Sequence, residues 1–273
     1  MQDGSRRIVD RTEPAPAATG AGVSALSVLW ADFRAAVASI TILRIDSAVA
    51  PEQVGRAALF YPVVGLLMGA ILVLLDHSLL LFLSQDITNV FLVGALAIMS
   101  AGRQLDGFGN TADGLIGFRG REHALATMRD RPLGTFGTAA IFFLLILKLR
   151  SFDLLADQAR TFGLLLAPMV GRWTMVVLAH GSREAGPPGE SSKFAREIGS
   201  REFAVASVFA LATLLSLTEG FGLVIAIAVA TLTVGLRVYL HRRLGGVTHQ
   251  SLGAVSEAAE TLVLILFAFT SAS

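Results

Sequence analysis

"AALFYPVVGLLMGAILVLL", residues 57–75, runs for nineteen residues without a charge. A bilayer core about 30 Å thick is crossed by about 20 apolar residues of helix. A helix at the surface of a water-soluble domain would keep a polar face, and this stretch has none. Working outward, further apolar runs follow at roughly 87–103, 136–154, 161–179, 203–218, 221–240 and 257–272. Composition agrees: 53% of the residues are hydrophobic and 16% charged, against about 25% charged in soluble proteins. The mean hydropathy is +0.66. The expected fold is all-α, a polytopic integral membrane helical bundle with about seven hydrophobic segments. Several runs are short, which tilt, local thinning or re-entry accommodates. The fifth and sixth are split by "TEGFG" at 218–222, expected to form a tight helical hairpin with a glycine hinge.

Residues 1–25 are rich in Ala, Pro, Gly and charge, lack an apolar leader segment, and read as a disordered tail. Residues 26–273 are expected to form one membrane-embedded domain. That domain opens with "LSVLWADFRAAVASITILRI" at 26–45. Leu26, Leu29, Trp30, Phe33, Val37 and Ile40 recur at three- and four-residue spacing, with Asp32, Arg34 and Ser39 elsewhere. This is an amphipathic helix, lying at the interface, re-entering, or packed on the bundle surface. The chain has no cysteine, which excludes disulfides, thiolate metal sites and cysteine nucleophiles. A net charge of +1 gives no sign of a nucleic-acid partner.

Charge orients the runs. The loop at 103–135 holds Arg103, Arg119, Arg121, Arg129 and Arg131. The loop at 180–202 holds Arg183, Lys193, Arg196 and Arg201, and that at 237–256 holds Arg237, Arg242 and Arg243. By parity these loops share one side. The opposite connections carry only Arg150 and Arg160. Positive charge accumulates on the cytoplasmic side, which places the arginine-rich loops there.

The first of them, "GRQLDGFGNTADGLIGFRGREHALATMRDRPLGTFG" at 102–137, also carries acids. Asp106, Asn110 and Asp113 fall at i, i+4 and i+7, on one face if helical, with the two aspartates about 10 Å apart. Gly107, Gly109, Gly114 and Gly117 each cost a helix about 1 kcal/mol relative to Ala. A helix end fraying into a loop at the membrane surface is therefore expected. Hard oxygen ligands beside arginines suit Mg²⁺ and phosphates, the equipment of a membrane-embedded phosphotransferase. A solvated loop with internal ion pairs is the alternative. Towards the C-terminus, Glu257 and Glu260 stand at i, i+3. Glu257 near a helix N-terminus is stabilising in itself. Glu260 lies deeper, where an ionisable side chain points to function. Lys148 is expected to snorkel, and Arg172 to turn inward onto an acid.

Five stretches in order, "FYPVVG" (60–65), "LDGFGNTADGL" (105–115), "MRDRPLGTFG" (128–137), "GRW" (171–173) and "LGGVTHQSLGAVSEAAE" (244–260), resemble the motifs of the adenosylcobinamide-GDP ribazoletransferase, or cobalamin synthase, family. The resemblance runs from about residue 26 to the C-terminus. It implies a multi-pass enzyme of the bacterial inner membrane with its site on the cytoplasmic side. Such an enzyme joins adenosylcobinamide-GDP to α-ribazole or its 5′-phosphate, releases GMP and requires Mg²⁺. The ribose 3′-hydroxyl of α-ribazole would attack the phosphorus esterified to the cobinamide side chain. Carried over residue by residue, Asp106 and Asp113 become metal ligands, with Asn110 a third oxygen between them. Glu257 and Glu260 of the C-terminal motif join the candidate ligands. Asp130 is a further ligand or the base that takes the hydroxyl proton, and Arg129 holds the diphosphate. The chain departs from the family pattern at Asn110, where aspartate is usual, and at His249 and Gln250, where "GD" is usual. A CDP-alcohol phosphotransferase, a non-catalytic paralogue and a transporter are the other readings. The first would need an alanine–arginine pair that is missing here. A transporter would carry acids at the midplane instead of clustered at one rim.

Overall fold

The computed structural model describes residues 25–43, 45, 51–116, 119–130, 132–186 and 198–271. Except for Ala25, the tail lies outside the described residues. The elements are α1 (Ala25–Ile40), α2 (Pro51–Ala57), a 3₁₀ turn (Ala58–Phe60), α3 (Tyr61–Leu79), α4 (Gln85–Met99), α5 (Arg103–Ile116), α6 (Arg121–Asp130), α7 (Thr135–Leu154), α8 (Asp157–Ala179), α9 (Ser200–Leu244) and α10 (His249–Ser271). Among the described residues there is no strand. Among the described residues five helices are long and apolar enough to cross a membrane, or six if the bent pair α4 and α5 forms one span. The outward surface is apolar, as a lipid solvent requires: Leu67, Leu74, Phe142, Phe143, Val208 and Ile227 are all exposed.

The bundle is organised around α8, which lies between α3 and α10. Close approach is made possible by missing side chains. A Cβ on Gly65 of α3 would fall 2.6 Å from the Pro168 carbonyl of α8, and one on Gly171 of α8 would fall 2.9 Å from the Ser256 carbonyl of α10. With no hydrophobic drive between helices in lipid, such small-residue contacts give packing its specificity.

The 45 residues of α9 would extend about 67 Å if straight, twice the bilayer core. They fold back instead. The His180 ring stacks on Phe203 near the start of α9, with centroids 4.5 Å apart. The Arg183 amide donates to His241 Nε2 near its end, at 3.3 Å. Both ends thus return to the same short turn. The hairpin expected at "TEGFG" is present, but its non-helical residue is Glu219 (φ 51°, ψ −134°) and not a glycine. Gly222 serves the close approach, since a Cβ there would sit 2.9 Å from the Leu214 carbonyl.

Three other expectations are corrected. The run at 87–103 is not one segment: α4 ends at Met99, the chain turns through left-handed Ala101 and Gly102, and α5 leaves at 85°. The acidic segment is helical from Arg103 to Ile116, with Gly107, Gly109 and Gly114 as contact points inside it, while Gly117 lies outside the described residues. A Cβ on Gly107 would lie 2.7 Å from the Gln250 carbonyl, and one on Gly109 would lie 2.5 Å from Leu133 Cδ1. Packing thus outweighs a propensity cost of about 1 kcal/mol per glycine. Finally, the expected apolar face of α1 is buried only in its C-terminal half, at Val37 and Ile40. Leu26, Leu29 and Trp30 are exposed, while Asp32 is buried and accepts Arg56 Nε at 3.0 Å.

Candidate active site

Helix α5 lies across one end of the bundle, against α10, α7 and α6. It meets α10 glycine on glycine: a Cβ on Gly253 would fall 3.3 Å from the Gly107 Cα. Gly114 lies against Met128 of α6, and Thr248 donates to Met128 Sδ at 3.9 Å. Arg121 Nε donates to the Leu244 carbonyl at 2.7 Å, fastening α6 to the end of α9. Arg103 holds the carbonyls of Ala38 and Thr41 at the end of α1. Segments around residues 41, 106, 128 and 248 therefore share one rim.

On α5, Asp106 is exposed and Asn110 buried, and Asn110 Nδ2 donates to Asp106 Oδ2 at 2.9 Å. Asp113, one turn on and on the same helix face, has other partners. Its Oδ2 accepts the Gly134 amide at 2.6 Å and its Oδ1 the Gly137 amide at 2.8 Å. The acidic row expected from spacing is present, but its members have different partners. Arg129 and Asp130 close α6, with Arg129 exposed; the Asp130 side chain lies outside the described residues.

Glu257 and Glu260 stand in the third and fourth turns of α10 and not in its first, so a helix-terminus role for Glu257 is not what the structure has. Both are buried with two cations. Lys148 Nζ of α7 donates to Glu257 Oε2 at 2.6 Å and to Glu260 Oε1 at 2.5 Å. Arg172 Nη1 of α8 donates to Glu260 Oε2 at 2.9 Å and to Ser256 Oγ at 3.0 Å. Lys148 does not snorkel. Arg172 has the acid partner expected of it.

At the other end of the bundle is a network that sequence reasoning missed. Arg160 Nε donates to both Asp76 oxygens, at 3.1 and 3.0 Å, and Arg160 Nη2 donates to Asn89 Oδ1 at 2.7 Å. Asn89 Nδ2 donates to Asp153 Oδ1 at 2.8 Å. Read by position alone, Arg160 is a loop charge. The available signal was its position at the foot of an apolar run, matched by Asp76 at the foot of another. Gln104 Oε1 and Thr111 Oγ1 on α5, also missed, are buried without a hydrogen-bond partner among the described residues.

Among the described residues no three Asp, Glu or His side chains converge on a preformed metal cluster. The carboxylates of Glu257 and Glu260 already face cations, and that of Asp113 faces two amides. The exposed carboxylate of Asp106 remains. That donor set fits Mg²⁺ in its usual manner, held by one or two carboxylates and completed by water and substrate phosphate.

Fold and rim together define a polytopic α-helical membrane protein with an acid-bearing helix laid across one end of its bundle. The chain belongs to the cobalamin-5-phosphate synthase family, whose model matches residues 32–268. It is 36% identical over 215 residues to the adenosylcobinamide-GDP ribazoletransferase of Geotalea daltonii, covering 78% of this chain and 86% of that one. It is 34% identical over 234 residues to the enzyme of that name from Thermoanaerobacter pseudethanolicus, covering 83% and 92%. With the one from Klebsiella pneumoniae it shares 34% over 224 residues, covering 81% and 91%. No solved structure matches.

Proposed function

We infer that this chain transfers the adenosylcobinamide phosphate group from adenosylcobinamide-GDP to α-ribazole or α-ribazole 5′-phosphate, releasing GMP and forming the cobalamin product. One observation carries the reading beyond family membership. Three motifs far apart in sequence, at 105–115, 128–137 and 244–260, meet at one rim through Gly107–Gly253, Gly114–Met128 and Asp113–Gly134. A transporter would instead need its charges along a path. Here the central charges pair with one another.

In the transfer, the acceptor hydroxyl oxygen forms a bond to the cobinamide-side phosphorus. The bond from that phosphorus to the bridging oxygen breaks, and GMP leaves with it. Asp130 takes the hydroxyl proton. Arg129 orients the diphosphate, for which a guanidinium fork is suited. Asp106, braced by Asn110, would hold Mg²⁺, and a bound Mg²⁺ would supply charge neutralisation at the diphosphate. Positioning and charge neutralisation supply most of the catalysis of such a transfer.

The rim faces the cytoplasm of a bacterial inner membrane, a reading supported by the arginines Arg103, Arg119, Arg121 and Arg183 gathered there. Purified protein in detergent given adenosylcobinamide-GDP, α-ribazole and Mg²⁺ is expected to release GMP; no release overturns the reading. A cysteine at exposed Arg119 is expected to resist impermeant thiol reagents in intact cells, and one at exposed Ser84 to react. The reverse pattern overturns the orientation.

A further inference from the structure

We propose that Asp113 is a positioning residue that holds the N-terminus of α7, and through it the end of α6, in register with Asp106. The proposal rests on the rim being the site of transfer. Helix N-termini leave four amides without partners in their own helix. The residue at the N-cap of α7 is Gly134, in extended conformation (φ −90°, ψ −174°), with no side chain to supply a cap. Asp113 supplies it from α5, one oxygen to the Gly134 amide and the other to the Gly137 amide.

The sequence around those amides is cut to admit the carboxylate. A Cβ on Gly134 would lie 2.8 Å from Asp113 Oδ1, and one on Gly137 would overlap Asp113 Oδ2. "GTFG" is thus a cradle for a side chain of another helix. A negative charge at that place is also favoured by the helix dipole. The functional consequence follows from connectivity. Only residues 131–133 separate Asp130 from the clamped Gly134, and Asp106 lies two turns from Asp113 on the same helix. The clamp therefore fixes the spacing between the carboxylate that receives the metal and the residues that face the reacting hydroxyl and diphosphate.

The test is a double-mutant cycle on the full-length protein in detergent, using Asp113→Ala, Gly137→Ala and both together, with Asp113→Asn and Asp106→Ala alongside. Three quantities are read: kcat and KM for GMP release, unfolding temperature, and Mn²⁺ binding by electron paramagnetic resonance without substrate. Asp113→Ala is expected to bind Mn²⁺ as the unaltered chain does and to lose kcat by about 10²-fold through misplacement. Asp106→Ala is expected to lose Mn²⁺. Gly137→Ala should reproduce the kcat loss, and the double variant should be no worse than either single one. Asp113→Asn, which keeps one acceptor oxygen, should recover part of the rate. Loss of Mn²⁺ binding in Asp113→Ala, or additive losses in the cycle, would overturn the proposal. If the unaltered chain releases no GMP, the transferase reading fails instead. Non-additive shifts in unfolding temperature then still decide whether Asp113 caps α7.

Discussion

Asp106 with Asn110 on α5, and Glu257 with Glu260 on α10, are local pairs of the same kind, polar side chains one helical turn apart in a glycine-containing motif. Their surroundings divide them. The α10 pair faces Lys148 and Arg172 from two other helices and is buried. The α5 pair has an exposed carboxylate braced by a single amide. A buried carboxylate is tolerated when a cation meets it, and a pair so balanced has little capacity left for an external ion. An exposed carboxylate keeps its hydration and can exchange it for a metal. The α10 pair joins helices, and the α5 pair leaves one carboxylate, that of Asp106, open to solvent.

The sharpest break in this comparison is Lys148→Met. Glu260 retains Arg172, but Glu257 is left buried without a cation, at a cost of about 3–5 kcal/mol. Thermal unfolding in detergent should show a large loss, and adding Glu257→Gln should recover most of it. An unchanged unfolding temperature in Lys148→Met would mean that the buried pair does not hold the bundle together.

Asp106→Ala should have the opposite signature. The unfolding temperature should stay near that of the unaltered chain, while Mg²⁺-dependent GMP release falls by about 10²–10³-fold, as for loss of a group that stabilises transition-state charge. Near-normal release would remove Asp106 from the site. Loss of the protein from the membrane would make the α5 acid structural, like those of α10.

Asn110→Asp is the smallest change and the finest test. It places a second carboxylate where an amide now donates to Asp106, so a divalent cation between them gains an attraction of about 2 kcal/mol through high dielectric. The Mg²⁺ concentration for half-maximal release should fall roughly thirtyfold, the equivalent of that energy. An identical metal titration would mean that residue 110 braces Asp106 and does nothing else.

Much of this was legible in one dimension. A nineteen-residue uncharged run fixes a membrane helix, because the backbone has no partner in lipid other than itself. The hairpin at 218–222, the inward turn of Arg172 and the family motifs are likewise local features, readable because periodicity, turn residues and motif spacing are properties of neighbouring residues. Tertiary structure decided what spacing left open. Asp106 and Asp113 share a helix face, yet one is exposed and the other caps α7, because only packing brings Gly134 and Gly137 to it. Lys148 and Glu257 are more than a hundred positions apart, so no window of sequence pairs them. The glycines that argued for a frayed α5 are where α10 and α7 touch it, and the contact that offsets their helix cost is made by residues remote in the chain. The sequence determined which residues could carry charge at a membrane rim. Only the fold determined which of those charges were already met by partners, because neutralisation depends on distances of a few ångströms between helices, and spacing along the chain does not encode those distances.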